Sequence, residues 1–284
     1  MRILITGAGG QLGRDLQRVL AGHELLPCSH GQLDITNAPA VEQAISSFRP
    51  DAVVHSAALT DTTRCEREPD AAHAVNAEGA TNVARACARA SASMMYVSTN
   101  EVFDGEKPLP YLETDPPAPI NQYGRSKLAG ERAVQAALGE HYIVRTAWLY
   151  GQGGNHFVNK MLRAAEGGAL TGVSDEIASP TWTRDLASAT AALIETRRYG
   201  TYHFTNAGQA SRFEWVQEIL RLAGKTDVAL RPINTLEFRA SLSADAVVPE
   251  KPPFSVLANE AAGALGIVLR PWREALAAYF ASGA

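Results

Sequence analysis

The feature that most constrains this chain is a glycine spacing near its start. Thr6-Gly7-Ala8-Gly9-Gly10-Gln11-Leu12-Gly13 directly follows the apolar run Ile3 to Ile5 and opens the amphipathic stretch Leu12 to Leu20. A strand that enters a helix through glycines at 7, 10 and 13 lets the backbone approach a pyrophosphate closely. The helix N-terminus then offers it unpaired N–H groups and the positive end of the helix dipole. Gly7, Gly10, Gln11, Leu12 and Gly13 are therefore the expected pyrophosphate site of a dinucleotide; the plainer alternative is a tight strand-to-helix turn without a ligand.

The following segments keep the same rhythm. Apolar runs of strand length (near Leu25 to Pro27, then Ala52 to Ser56, Met94 to Ser98 and Tyr142 to Ala147) alternate with helical patterns over Ala71 to Ala90 and Leu128 to Leu138. Strands apolar on both faces and separated by amphipathic helices predict an α/β fold, a doubly wound parallel sheet of Rossmann type, with a smaller mixed C-terminal substrate lobe. The dinucleotide-binding domain is expected over 1–150 plus about 178–206, and the lobe over about 151–177 plus 207–284. Past the turn-rich stretch Gly151 to Asn155, helices are expected near Phe157 to Glu166 and Leu186 to Glu195, with a break at Ser179-Pro180 between them and a strand at Tyr202 to Thr205. Arg231 to Pro253, rich in Pro and Ser, reads as a long ordered loop over a site. No internal repeat or low-complexity tract interrupts the chain.

Bulk properties narrow the partners. The 284 residues are 46% hydrophobic, enough for a full core, and the formal net charge of -4 leaves no basic excess to track a nucleic acid. No run approaches the roughly 18 apolar residues of a membrane span, so no membrane partner is expected. Cys28, Cys65 and Cys87 are odd in number and lack zinc-site spacing, which suits reduced thiols in a cytoplasmic protein. No metal site is expected, since Asp15 and the acidic residues near it show no ligand spacing. Oligomeric state is not written in the sequence, which leaves room for a homodimer.

A second constellation carries proton chemistry. Tyr123-Gly124-Arg125-Ser126-Lys127 puts a phenol and an ammonium at i and i+4 on one helix face. A nearby cation favours the phenolate and should lower the tyrosine pKa from about 10. A single Y-x-x-x-K is a frequent coincidence, but Val97-Ser98-Thr99 ends the preceding strand, where doubly wound sheets bind ligands. Thr99 can then hydrogen-bond the oxygen that Tyr123 protonates. For the cofactor, the second strand ends in Cys28-Ser29-His30 and not in an acid, while Arg14 or Ser29 would tolerate a 2′-phosphate. The expectation is NADPH, with NADH also accepted, and Asp34-Ile35 near the adenine.

With these residues assembled, the chain resembles the extended short-chain dehydrogenase/reductases, and among them the dTDP-4-dehydrorhamnose reductase family. The likeness runs end to end, through Gly7 to Gly13, Arg49-Pro50-Asp51, Val75-Asn76-Ala77, Tyr123 to Glu131, Arg145 to Gly151, Ser179-Pro180-Thr181, Gly200 to Phe204 and Pro271 to Leu276. The resemblance implies that Tyr123 is the general acid, Lys127 its partner and ribose anchor, and Thr99 the carbonyl-orienting hydroxyl. It further implies that Ala57, Ala58 and Leu59 line the cofactor and that Trp148 contacts a sugar nucleotide, where a core aromatic is the plainer reading. Lys251 stands where the family usually has an arginine near the substrate's diphosphate, a swap that loses bidentate geometry. Asn100-Glu101 replaces the family's aspartate and aromatic residue, and Thr62-Thr63-Arg64 its Val-Asp-Lys. Asn100, on the substrate side, argues against the dehydratases that share the threonine and glutamate, because an amide cannot act as a general acid. Glu101 is either a loop residue or a contact to a sugar hydroxyl.

The implied reaction is NAD(P)H-dependent reduction at C4 of a dTDP-4-keto-6-deoxysugar. Two rivals share the same residues: a sugar-nucleotide epimerase or reductase for another deoxysugar, and a non-catalytic subunit resembling the regulatory subunit of methionine adenosyltransferase.

Overall fold

Residues alternate faces along each central strand, and that period sets the architecture of the computed structural model, which describes residues 1–153, 156–243 and 245–283. Six strands, β1 (Arg2–Thr6), β2 (Glu24–Cys28), β3 (Ala52–His55), β4 (Ser93–Thr99), β5 (His141–Thr146) and β6 (Gly200–His203), form one parallel sheet in the order β6-β5-β4-β3-β1-β2. On β1, Ile3 and Ile5 enter a core with Leu12, Leu16, Leu186 and Leu193, while Leu4 between them joins Val41, Ile45, Val83 and Val134 on the other side. Helices α1 (Gln11–Val19) and α5 (Thr183–Thr196) cover the first face; α2 (Ala38–Phe48), α3 (Gly79–Ala90) and α4 (Gln122–Ala137) cover the second. From β1 the chain moves to β2 on one side and then back to β3 on the other, so a crevice opens at the carboxyl ends of β1 and β3, where such sheets bind ligands.

Several elements differ from the sequence reading. Helix α2 was not anticipated, although Asn37 caps it by accepting from the Ala40 N–H and Pro39 sits in its first turn. The expected helix over Ala71 to Ala90 is broken into Pro69–His73, a π-helical turn at Ala74–Glu78, and α3. Helix α4 begins at Gln122, so Tyr123 and Lys127 share it as their spacing predicts.

The expected loop from Arg231 to Pro253 is corrected more strongly. Its start belongs to a strand, Ala229–Ile233, paired in parallel with Ala169–Val173, and a helix follows at Thr235–Ala240. Asn234 and Glu237 form a full capping box there, a local signal that outweighs the Pro and Ser content. Pro232 is tolerated because this sheet has two strands and each is an edge. The turn-rich stretch 151–155 reaches positions 154 and 155, which lie outside the described residues.

The lobe packs its own core from Tyr150, Trp182, Trp215, Ile219, Trp272 and Tyr279. A returning segment ties it to the sheet. Ile177 N–H donates to the Pro253 carbonyl at 2.8 Å and Ser255 N–H to that of Ile177 at 2.9 Å; beyond it, Tyr111 N–H donates to the Val256 carbonyl at 2.8 Å. Among the described residues no helix is long and apolar enough to cross a membrane.

Candidate active site

The glycine turn is packed too tightly for side chains. Gly7 adopts a φ of +69°, and a Cβ there would lie 2.7 Å from the Ala57 nitrogen. A Cβ on Gly13 would fall on the Gly7 carbonyl oxygen. Gly10 caps α1 without a side-chain hydrogen bond, which leaves the first N–H groups of the helix free to meet an anion. Beside them the Gln11 Oε1 is buried without a hydrogen-bond partner among the described residues. A cradle closed to Cβ atoms, with unpaired donors at its rim, fits a dinucleotide pyrophosphate.

The turn lines a cavity of about 860 Å³ between the sheet and the lobe, and the residues that sequence assigned to cofactor or substrate line it too, apart from Arg14 and Ser29. Ala57, Ala58 and Leu59 make the facing wall. Asn76, in the π-helical turn, fixes that wall by accepting from the Leu59 N–H at 2.8 Å and donating to the Leu59 carbonyl at 3.0 Å and the Ser126 hydroxyl at 2.9 Å. Extra residues of this kind inside helices recur at functional sites.

Asp34 accepts from the Thr36 N–H at 2.9 Å and the Thr36 hydroxyl at 2.8 Å, and the backbone bond foremost holds its carboxyl below the usual range. Its oxygens thus serve a turn, while Ile35 packs beneath against Gly79. The Ser29 hydroxyl donates to Gln32, and the Arg14 guanidinium lies against Gly153. His30 lines the cavity beside Leu33 and Asp34.

The reacting groups meet where β4 ends. Burial foremost, and then the Glu101 charge, hold the Tyr123 phenol well above its ordinary pKa, and the nearby Thr99 hydroxyl offsets them only in part. The expectation that Lys127 lowers it is not met. The Lys127 Nζ donates to the Val97 carbonyl at 2.7 Å and sits 3.9 Å above the Tyr96 ring, and burial pulls its own pKa down to about 7. A desolvated ammonium turned onto a strand carbonyl stabilises the helix face more than the phenolate. Behind it, His55 shares a 2.9 Å hydrogen bond with the Thr6 hydroxyl and is kept neutral, its pKa lowered to about 3 by burial first and then by Lys127.

The loop after Thr99 is committed to the fold. Asn100 donates to the Ser255 hydroxyl at 2.7 Å, and its Oδ1 lies 3.3 Å from the Thr99 hydroxyl. Glu101 accepts from Lys251 Nζ at 2.8 and 2.9 Å, one on each carboxylate oxygen, and from Asn121 Nδ2 at 2.7 Å. Lys251, expected near a diphosphate, is therefore engaged by a carboxylate within the wall. Asn121 in turn caps α4, its Oδ1 accepting from the Gly124 N–H at 2.8 Å. Trp148, at a φ of +45°, stacks on Trp215 with ring centroids 5.4 Å apart, and the Arg212 guanidinium lies 3.7 Å from its ring centroid. Among the described residues no cluster of three or more His, Cys, Asp or Glu could hold a metal, and the three cysteines are free and buried.

The sequence profile of the RmlD substrate binding domain matches residues 1–284. The chain belongs to the RmlD substrate binding domain family. A dTDP-4-dehydrorhamnose reductase from Streptomyces griseus is 42% identical over 289 residues, covering 98% of this chain and 93% of the relative. Among solved structures, a dTDP-4-dehydrorhamnose reductase from Clostridium acetobutylicum superposes with a TM-score of 0.94 at 40% identity over 99% of both chains. The Bacillus anthracis dTDP-4-dehydrorhamnose reductase in complex with NADP does so with a TM-score of 0.93 at 39% identity, again over 99% of both.

Within this RmlD-type framework, sequence reasoning missed three residues that shape the cavity. Asn121 was findable, since an asparagine two places before a catalytic-type tyrosine is a good helix cap. Asn76 was noted only as part of a shared stretch. Arg212 carried no signal: it is one arginine in Ser211-Arg212-Phe213-Glu214-Trp215, and only the fold brings it to Trp148.

Proposed function

We propose that the chain reduces the C4 keto group of dTDP-4-dehydrorhamnose to give dTDP-rhamnose, with NADPH as the preferred reductant and Tyr123 as the proton donor. The observation that carries this reading is the convergence of Thr99, Tyr123 and the glycine turn on one cavity. The similarity to dTDP-4-dehydrorhamnose reductases along the whole chain supports the substrate, and the NADP in the Bacillus anthracis relative supports the cofactor.

The bound cofactor supplies the hydride. The turn from Gly7 to Gly13 holds its pyrophosphate, and Ala57, Ala58 and Leu59 pack along it. Tyr123, kept protonated by burial, gives its proton to the oxygen on which negative charge grows. Thr99 donates to the same oxygen, a contribution that strengthens as charge develops. Lys127, fixed by the Val97 carbonyl, supports the helix face from which Tyr123 projects and anchors the nicotinamide ribose.

The test is NADPH oxidation by purified protein given dTDP-4-dehydrorhamnose. Tyr123→Phe should bind NADPH as the parent does and lose about 10²- to 10⁴-fold in turnover, the usual worth of a positioned acid. Full activity in that variant would remove the tyrosine from its role, and conversion of the sugar without NADPH oxidation would point to an epimerase.

A further inference from the structure

The cations of the cavity wall are not equally available. Lys127 is committed to the Val97 carbonyl, the Tyr96 ring and the cofactor's ribose, Lys251 to both oxygens of Glu101, and Arg64 pairs with Glu68 at 2.9 Å. Arg212 differs. Its ion pair with Glu176 spans 3.7 Å at Nε, well beyond the 2.8 and 2.9 Å that hold Lys251 on Glu101. The guanidinium is clamped by rings, 3.7 Å from the centroid of Trp148, 5.0 Å from Phe157 and 5.8 Å from Trp215. Its side chain is only 20% exposed.

A stacked guanidinium has already given up much of its rotamer freedom, so its fork meets an anion at small entropic cost. Burial strains the charge and pushes the Arg212 pKa below its ordinary value, more than the Glu176 and Glu101 carboxylates restore it. An incoming anion relieves both. The cofactor's pyrophosphate is served by the glycine turn, and the Trp148 wall lies on the lobe side of Thr99, since Trp148 follows Thr146, the strand partner of Thr99. A second phosphate group entering with the substrate meets Arg212 there.

We infer that Arg212, and not Lys251, binds the diphosphate of the nucleotide-linked substrate. The inference rests on the substrate class proposed above. It moves the diphosphate from the expected position of Lys251 to the aromatic wall, and it leaves Lys251 a structural partner of Glu101.

The test uses dTDP, which cannot be reduced, with affinity read by calorimetry and by quenching of tryptophan fluorescence in the NADPH-loaded protein. Arg212→Met should weaken dTDP on the order of 10- to 100-fold, the range for losing hydrogen bonds to a charged group. Thymidine, lacking phosphate, should bind both proteins alike, and NADPH affinity should not change. Lys251→Met should keep dTDP affinity within about threefold. Should Arg212→Met fail to fold, seen as lost NADPH binding, Glu176→Gln serves instead: removing the competing carboxylate should tighten dTDP several-fold. Unchanged dTDP binding in Arg212→Met, an equal loss in Lys251→Met, or weaker binding in Glu176→Gln would each overturn the assignment. Because no turnover is read, Arg212-dependent dTDP binding in a protein that fails to reduce the keto sugar would sink the proposed reaction and leave this inference standing.

Discussion

Glu101 follows Thr99 by two positions and lies in the wall of the cavity. Its carboxylate joins Lys251, the α4 cap and the reacting loop, and its charge stands next after burial among the causes that raise the Tyr123 pKa. A phenol acting as an acid must be protonated, so activity falls as pH rises through its pKa. Removing the negative charge lowers that pKa. Glu101→Gln is therefore expected to move the alkaline limb of kcat/KM to lower pH while the acid limb stays in place, and an unmoved limb would disconnect Glu101 from the phenol. At this scale the sequence disclosed Thr99, Tyr123 and Lys127, because their spacing repeats a helix period after a strand end. It left Glu101 between two readings and was silent on Arg212, because their roles depend on partners 150 positions or a whole lobe away. The expected effect of Lys127 on Tyr123 failed for a related reason: spacing puts two groups on one face but does not say which way a desolvated ammonium turns.

The weak points of an element are its ends. Helix α4 carries Tyr123 as its second residue, and Asn121 caps it while also donating to the Glu250 carbonyl at 2.8 Å. Asn121→Ala should cost about 1–2 kcal/mol in urea unfolding, the usual worth of such a cap. It should also lower kcat more than it weakens NADPH binding, because the first turn of α4 loses its anchor while the glycine turn keeps its own. Equal losses in the two would mean that the cap serves stability alone. Elements with strong apolar periodicity, β1, β3, β4, β5 and α1, were readable from sequence. Helix α2 and the Thr235–Ala240 helix were not read although both have capping asparagines, since short helices of mixed polarity give composition little to follow. The π-helical turn around Asn76 has no sequence signature, because it is set by the need to reach Leu59 and Ser126 at once.

The molecule as a whole buries histidines as neutral bodies. Burial lowers His55 and His203 to about 3 and His156 to about 4, from an ordinary 6.5. Below pH 6.5 the unfolded chain takes up protons that the folded chain refuses, so stability falls with pH from 6.5 towards 4. The slope approaches about 1.4 kcal/mol per pH unit for each histidine. Lys127, lowered to about 7 from 10.5, gives up its share as pH falls from 10.5 towards 7 and adds little slope below that. Urea midpoints should therefore drop steadily from pH 6.5 to about 5, and a flat profile there would show that these rings are solvated. The parallel sheet and its two apolar layers were legible from alternation alone, whereas the lobe was expected without its core, because Trp182, Trp215, Trp272 and Tyr279 are gathered from separated segments with no shared period.

The returning segment around Ser255 has a temporal consequence. A ribosome releases the glycine turn first, then Thr99 and Tyr123, yet Asn100 must wait for Ser255, and Glu101 for Lys251, before either is held. The loop that carries Thr99 is therefore fixed only by residues made at least 150 positions after it.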